Sequence, residues 1–460
     1  MSSVESLSDK EEEEVYSSSS EEEYDDSQNK RIKLAKDYLN SIEEDDVEGT
    51  LNKDLLEKSN KVNKYLADHI TLSTKSYKQK LTLTHSILTF SRNEAYFVYA
   101  SKDNTVTQFN FSTKQKHRLP TRNPLCLATS PCYKWLAVGT ANKTVDIYNT
   151  LTSPFSLVTT LPGFKDAVSA LAFRQSTPTA LFAASLDRTI KVYSFPSNPP
   201  DSPSYVETLY GHQDQIYDLS VLRADIALSV GCRDKTARYW KVVDESQLVF
   251  RGGGRSKLKD MLDGAIDFDA QGMEIDGQQQ PQKSTTYVEG SLDCCTMVDD
   301  QHFLTGGDSG NISLWNTGKK KAIYTNYISH GIHQHHSETE GIINQPRSIT
   351  SIRSLPYSDL FASGSYDGWI RIWKLDRQLK SFEKLTEIEA KGFINSLQII
   401  QPPRGIIDLS NEERETSKKS TDELVIVAAT GQEPRMGRWT KLPSSQAKNA
   451  IVVSHTKLQS

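Results

Sequence analysis

Four histidines, His330, His333, His335 and His336, fall within seven residues. Imidazole nitrogens at that density have the donor chemistry for zinc or a related transition metal. The surrounding stretch is polar and offers no ordered carboxylate to complete a shell, so the pattern predicts a solvated loop and no metal site. Gly252-Gly253-Gly254-Arg255-Ser256-Lys257 has glycines and a lysine, but not the G-x-x-x-x-G-K-[ST] spacing that cradles phosphates. Neither H-E-x-x-H nor G-x-S-x-G occurs. Cys126, Cys132, Cys232, Cys294 and Cys295 form no Cys-x-x-Cys pair, which argues against a thiolate zinc site and for a reducing compartment. Paired carboxylates abound near the N-terminus, where nothing could tune them. The expectation is a protein without catalytic chemistry, metal or cofactor.

Basic side chains point to binding instead. Arg251, Arg255, Lys257 and Lys259 cluster in one connecting segment, Lys319, Lys320 and Lys321 in a second, and Arg435 and Arg438 in a third. A guanidinium can fork onto phosphate and stack on bases, which suits structured RNA with loops and bulges. The net charge of −5 conceals a split: residues 1–28 hold eleven acids and one base, so the other 432 residues carry +5. The acidic head cannot bury enough apolar surface to offset its ordering entropy, and residues 1–28 are expected to be a disordered tail. Ser18, Ser19 and Ser20 each precede an acid by three positions, a pattern that acidophilic kinases favour. Lys30, Arg31, Lys33 and Lys36 fit either an import signal or the polar face of a helix carrying Ile32, Ala35, Leu39 and Ile42. A second helical pattern runs through Leu55, Ser59, Val62, Leu66 and Ile70, so residues 29–77 read as a helical extension. The longest apolar run, Leu424 to Ala429, is far short of the ~20 residues of a membrane-spanning helix.

The elements that would position these residues come from a repeat over residues 78–460. Segments 101–109, 140–148, 185–193, 232–240, 307–315, 365–373 and 432–439 each place a polar turn before an aromatic. The closing aromatics are Phe109, Tyr148, Tyr193, Trp240, Trp315, Trp373 and Trp439, at spacings of 39, 45, 47, 75, 58 and 66. The turns are built from Asp or Asn with Lys, Arg or Gly, the residues that bond their own backbone or accept positive φ. Ile190 and Val192 then share one strand face while Lys191 and Tyr193 share the other. Further apolar strands precede each pair, for instance at 168–173 and 216–221. Roughly four strands per ~40 residues, seven times over, predict sheets that must cover one another by radial closure. The excess spacings mark insertions at about 252–284, expected to be disordered, at 330–345 and at 402–421. Either residues 80–85 or residues 450–454 are expected to complete the last sheet.

The repeat resembles the WD-repeat β-propellers, with Gly211-His212, Ser229, Asp234 and Trp240 as the fullest match. The resemblance implies an all-β, seven-bladed propeller in which His212, Ser229, Asp234 and Trp240 form a structural set inside one blade. No unit carries the Trp-Asp dipeptide itself. Further stretches are similar to the WD-repeat subunits of the U3 small nucleolar ribonucleoprotein: Gln247 to Gly252, Asp293-Cys294, Phe361 to Gly368, Gly392-Phe393-Ile394-Asn395-Ser396-Leu397 and Gly431-Gln432-Glu433-Pro434-Arg435-Met436-Gly437-Arg438-Trp439, with Lys33-Leu34-Ala35-Lys36-x-Tyr38-Leu39 upstream. That family implies a nuclear, nucleolar scaffold that docks on the box B/C region of U3 small nucleolar RNA. Its partners there would be the small kink-turn-binding protein and other processome proteins, with a role in early ribosomal RNA processing and no membrane. On that resemblance Arg251, Arg435, Arg438, Lys319, Lys320 and Lys321 are the candidate RNA contacts. Two other readings compete, a propeller substrate receptor of a ubiquitin ligase and a peptide-reading adaptor. The first would favour a Trp-Asp-x-Arg terminus to a repeat, which is absent; the second needs an acidic or aromatic-caged central pocket.

Overall fold

Short apolar strands joined by polar turns fold as four-stranded antiparallel sheets, and among the described residues there are seven such sheets. The computed structural model describes residues 64–458 except 81–84, 92–93, 111–112, 177, 200, 223–224, 253–289, 338–340, 402–422 and 437–439. The acidic tail, the basic segment at 30–36 and most of the insertions at 252–284 and 402–421 lie outside the described residues. Blade 3 shows the plan: strands Val168–Phe173, Ala180–Ser185, Thr189–Ser194 and Ser204–Tyr210 follow one another from inside to outside. Successive blades place their first strands side by side, and the first strand of blade 1, His85–Ser91, meets that of blade 7, Phe393–Ile400, so the ring is closed.

Closure dictates where the core lies. Both faces of each blade meet a neighbour, so central strands are continuously apolar rather than alternating. Trp135–Thr140 and Ala180–Ser185 are buried at every position. The hydrophobic clusters run from blade to blade; one joins Trp135, Val145 and Ile147 of blade 2 to Val168, Leu181 and Tyr193 of blade 3. Full burial of one such aliphatic side chain contributes about 1.5–3 kcal/mol. Gly364 shows how closely blades approach: a Cβ there would sit 2.4 Å from Cγ2 of Ile394 on the next blade.

The last blade differs from the sequence-based expectation. Residues 432–439 form no strand among those described; the third strand is Ala450–Leu458, and the outer strand is Ile70–Lys80. The register runs from Ile70↔Leu458 to Lys80↔Ala450 with one irregularity between Ser73 and Ser76. Both termini therefore supply the closing blade, the N-terminal strand lying at 70–80 rather than 80–85. Pro434 cannot donate to a ladder, and the described residues 432–436 run as bends and irregular backbone. The helical pattern through Leu66 and Ile70 resolves as a 3-10 turn, Ala67–His69, running straight into that strand. The amides of Leu66 and Ala67 bond the Asp359 carboxylate on blade 6, which anchors the entering chain. The ring thus begins before residue 78.

Candidate nucleic-acid interface

Strand polarity sorts every loop onto one of two faces. Turns between the second and third strands of a blade share a face with the connections to the next blade. Turns between first and second, and between third and fourth, lie on the opposite face.

On the first face the repeat turns are alike. Asn104, Lys143, Arg188, Lys235, Gly310 and Gly368 occupy the same turn position with φ between 53° and 91°. Left-handed backbone is uncommon away from glycine, and the turn Asp helps hold it. Asp187 accepts the Thr189 amide (3.0 Å) and Asp234 the Thr236 amide (2.9 Å). Lysine and arginine at these turns leave the peptide plane with their charges outward. Arg122, Lys143, Lys165, Arg188, Arg233 and Arg251 are all exposed on this face. The acids beside them serve the turns: Asp214 accepts from the Arg233 amide, and Asp308 from the amides of Gly290 and Ser291.

Beneath this face sits the predicted blade set. His212 Nδ1 lies 2.8 Å from Asp234, His212 Nε2 lies 2.8 Å from Ser229 Oγ, and the Trp240 indole donates to the same Oγ at 2.8 Å. Burial lowers the His212 pKa more than Asp234 raises it, so the ring is neutral. Burial pushes Asp234 up, but the His212 and Thr236 hydrogen bonds outweigh it and hold the carboxyl at about 2. The group is buried and structural.

The histidine-rich segment is not the loop that its composition predicts. His330 is fully buried, 2.8 Å from Asp367 through Nδ1 and 2.8 Å from Ser363 Oγ through Nε2, and the Trp373 indole donates to that Oγ at 2.8 Å. This is a second complete set, in blade 6. Ile332–Ser337 and Gly341–Pro346 form a hairpin between His330 and its blade. The inserted hairpin stretches the His-to-Asp separation from 22 residues in blade 4 to 37 in blade 6, which hid the match. The signal that could have found it is the shared six-residue step from Asp234 to Trp240 and from Asp367 to Trp373.

The candidate RNA contacts do not form one patch. Arg251 ends the outer strand Ser246–Arg251 of blade 4, opposite Thr236, on the face with the cationic turns. Lys319, Lys320 and Lys321 are exposed between the third and fourth strands of blade 5, on the opposite face. There Asp244, Glu245, Asp300 and Asp376 are also exposed, together with Lys114, Lys116, Lys241, Arg377 and Lys380. Arg438 lies outside the described residues. Arg435 turns inward and crosses the ring axis: its guanidinium donates to the carbonyls of Ser169 in blade 3 and Tyr217 in blade 4, the latter at 3.1 Å. The rest of its motif is tied down too. Lys102 of blade 1 bonds Glu433 and the Pro434 carbonyl, and the Asn395 amide donates to the Glu433 carbonyl. The Gly392–Leu397 stretch and the described residues 431–436 therefore meet at the axis.

A second arginine, missed from sequence, works beside it. Arg353 on the first strand of blade 6 makes a two-pronged contact with Asp218 on the first strand of blade 4, at 2.7 and 2.8 Å, and also donates to the Cys295 carbonyl. Burial pushes the Asp218 carboxyl up, but Arg353 outweighs it and holds it below its ordinary value. Among the described residues, no group of three or more His, Cys, Asp and Glu side chains is placed to hold a metal.

Comparison with known proteins agrees with this architecture. Residues 155–194, 203–241 and 338–374 match the family described as WD domain, G-beta repeat. Ribosomal RNA-processing protein 9 of Saccharomyces cerevisiae is 34% identical over 348 residues, covering 71% of this chain and 56% of that protein. U3 small nucleolar RNA-interacting protein 2 of Homo sapiens is 29% identical, over 93% of this chain and 82% of that protein. The crystal structure of the RRP9 WD40 repeats superposes with a TM-score of 0.63 at 28% identity, covering 84% of this chain and 99% of that one. The chain spans little more than half the length of the fungal relatives it matches, 54% and 56%.

Proposed function

This chain belongs to the WD-repeat β-propellers, and from that premise we propose that it is a non-catalytic scaffold subunit of the U3 small nucleolar ribonucleoprotein. In this reading it grips the box B/C region of U3 RNA beside the small kink-turn-binding protein. It acts in the nucleolus during early processing of small-subunit ribosomal RNA, together with other processome proteins. The observation that carries the reading is the run of exposed cations along the turns of one face. The cationic turns and Arg251 share that face, where Asp214 and Asp308 are occupied in capping turns, while the other face mixes exposed acids with exposed bases. Phosphate contacts supply affinity without sequence preference, and a ring of Lys and Arg tips fits that task. The relatives' names, which concern U3 RNA and ribosomal RNA processing, point the same way.

Arg251 stands as the RNA contact. Arg435 acts as a positioning residue through the axis, and the Lys319–Lys321 group faces away from the RNA. Sequencing RNA that co-purifies with the protein tests the reading; recovery of one small nucleolar RNA through moderate salt is expected. Arg251→Ala should weaken binding and reduce the salt slope by about one. Bulk RNA with no enrichment, or an unchanged slope, would count against it. A ubiquitin-ligase receptor or peptide reader would instead retain a protein and no RNA.

A further inference from the structure

Four of the repeat turns share one residue type that blades 5 and 6 lack. The residue after the left-handed position is Thr105, Thr144, Thr189 and Thr236 in blades 1 to 4. In three of them the hydroxyl bonds the turn aspartate: Thr105 to Asp103, Thr189 to Asp187, and Thr236 to Asp234. In blade 5 the position is Asn311, which is polar and buried, and in blade 6 it is Trp369. An indole there gives up the bond to Asp367 and leaves a large apolar ring 39% exposed. The other described tryptophans, Trp135, Trp240, Trp315 and Trp373, are at most 5% exposed. A large apolar ring left part-exposed where other blades place a turn-bonding threonine marks a functional position.

Trp369 has company on the same face. Tyr327 follows the outer strand of blade 5 and is 56% exposed, and Tyr210 ends the outer strand of blade 3 and is 71% exposed. Arg371, two residues from Trp369, donates to the carbonyl of Ser329, two residues from Tyr327, so the segments bearing the two rings adjoin. Arg251 lies on the rim between Tyr210 and Tyr327. Tyr210, Arg251, Tyr327 and Trp369 thus follow one another along the rim over blades 3 to 6. Unpaired bases stack on such rings irrespective of sequence, while arginine holds the intervening phosphate.

We propose that this rim is a stacking track for unpaired RNA nucleotides, with Tyr210, Tyr327 and Trp369 as platforms and Arg251 as a backbone contact. The inference rests on the RNA-scaffold reading and names which part of the RNA this face takes. Its test uses the full chain with a single-stranded RNA oligonucleotide and the same strand annealed to its complement. Trp369→Thr restores the residue used in four other blades and should leave the melting temperature unchanged or raised, yet weaken single-strand binding about fivefold or more. Tyr327→Ala should act alike, Trp369→Phe should retain binding, and Tyr65→Ala on the opposite face should change nothing. The salt slope should be unaltered in the aromatic variants, because no charge is removed. Single-strand affinity that survives Trp369→Thr and Tyr327→Ala but falls with Arg251→Ala would overturn the track and leave the scaffold reading intact. Absence of RNA binding by the unaltered protein would sink both. Equal losses on the duplex would also overturn the track, since paired bases cannot stack on protein rings.

Discussion

The Ser363 hydroxyl accepts from the Trp373 indole and donates to His330 Nε2, while His330 Nδ1 donates to Asp367, so one proton arrangement satisfies the whole chain. Protonating Nε2 would leave the serine hydrogen without its acceptor inside a buried site. Burial holds both His212 and His330 below the ordinary histidine pKa of 6.5. The unfolded chain therefore binds protons that the fold does not; stability is complete above pH about 6.5 and falls on acidification below it. Urea unfolding at pH 7.5 and 5.5 should show this loss, reduced in the His212→Gln/His330→Gln double variant. An equal loss in that variant would refute the assignment. Asp367→Ala strands a buried imidazole donor and should cost about 1–3 kcal/mol. The set in blade 4 is legible in the sequence because Gly211-His212 stands close to its aspartate. The set in blade 6 is not, because residue types alone cannot show that an inserted hairpin leaves His330 in register.

At the scale of the element, the turns explain why seven irregular repeats read as one pattern. Six of them carry a left-handed residue, preceded by aspartate in blades 1, 3, 4 and 6, and Asn, Lys, Arg and Gly all occur at it. Gly368 has φ +91° with open space around its α-carbon. Gly368→Ala should thus destabilise through backbone strain alone, by about 1–2 kcal/mol in urea midpoint measurements, with the fold intact. A neutral result would mean that the turn relaxes. Strands 168–173 and 216–221 are readable from residue types alone because they are apolar and bounded by turns. The seventh unit misleads for the opposite reason: Trp439 supplies an aromatic at a plausible spacing, whereas the true third strand, Ala450–Leu458, has no Asp turn and no closing tryptophan. Lys319 to Lys321 look equivalent to Arg251 because charge shows in a sequence and facial sidedness emerges only once strand polarity is assigned.

For the whole molecule, two arginines span the axis. Arg435 joins blade 7 to blades 3 and 4, and Arg353 joins blade 6 to blade 4. Arg353→Ala leaves the enclosed Asp218 carboxylate unpaired and should destabilise by about 2–4 kcal/mol. Adding Asp218→Ala should recover part of that loss in a double-mutant cycle, and strict additivity would disprove the coupling. The ring also has a seam: among the described residues, strand Ile70–Lys80 pairs only along Ala450–Leu458. During synthesis the early strand leaves the ribosome with no mate and must wait until the last blade emerges. The nascent protein consequently passes through an open arc whose two bare margins can join strangers, so that seam is where a chaperone on the growing polypeptide has something to shield.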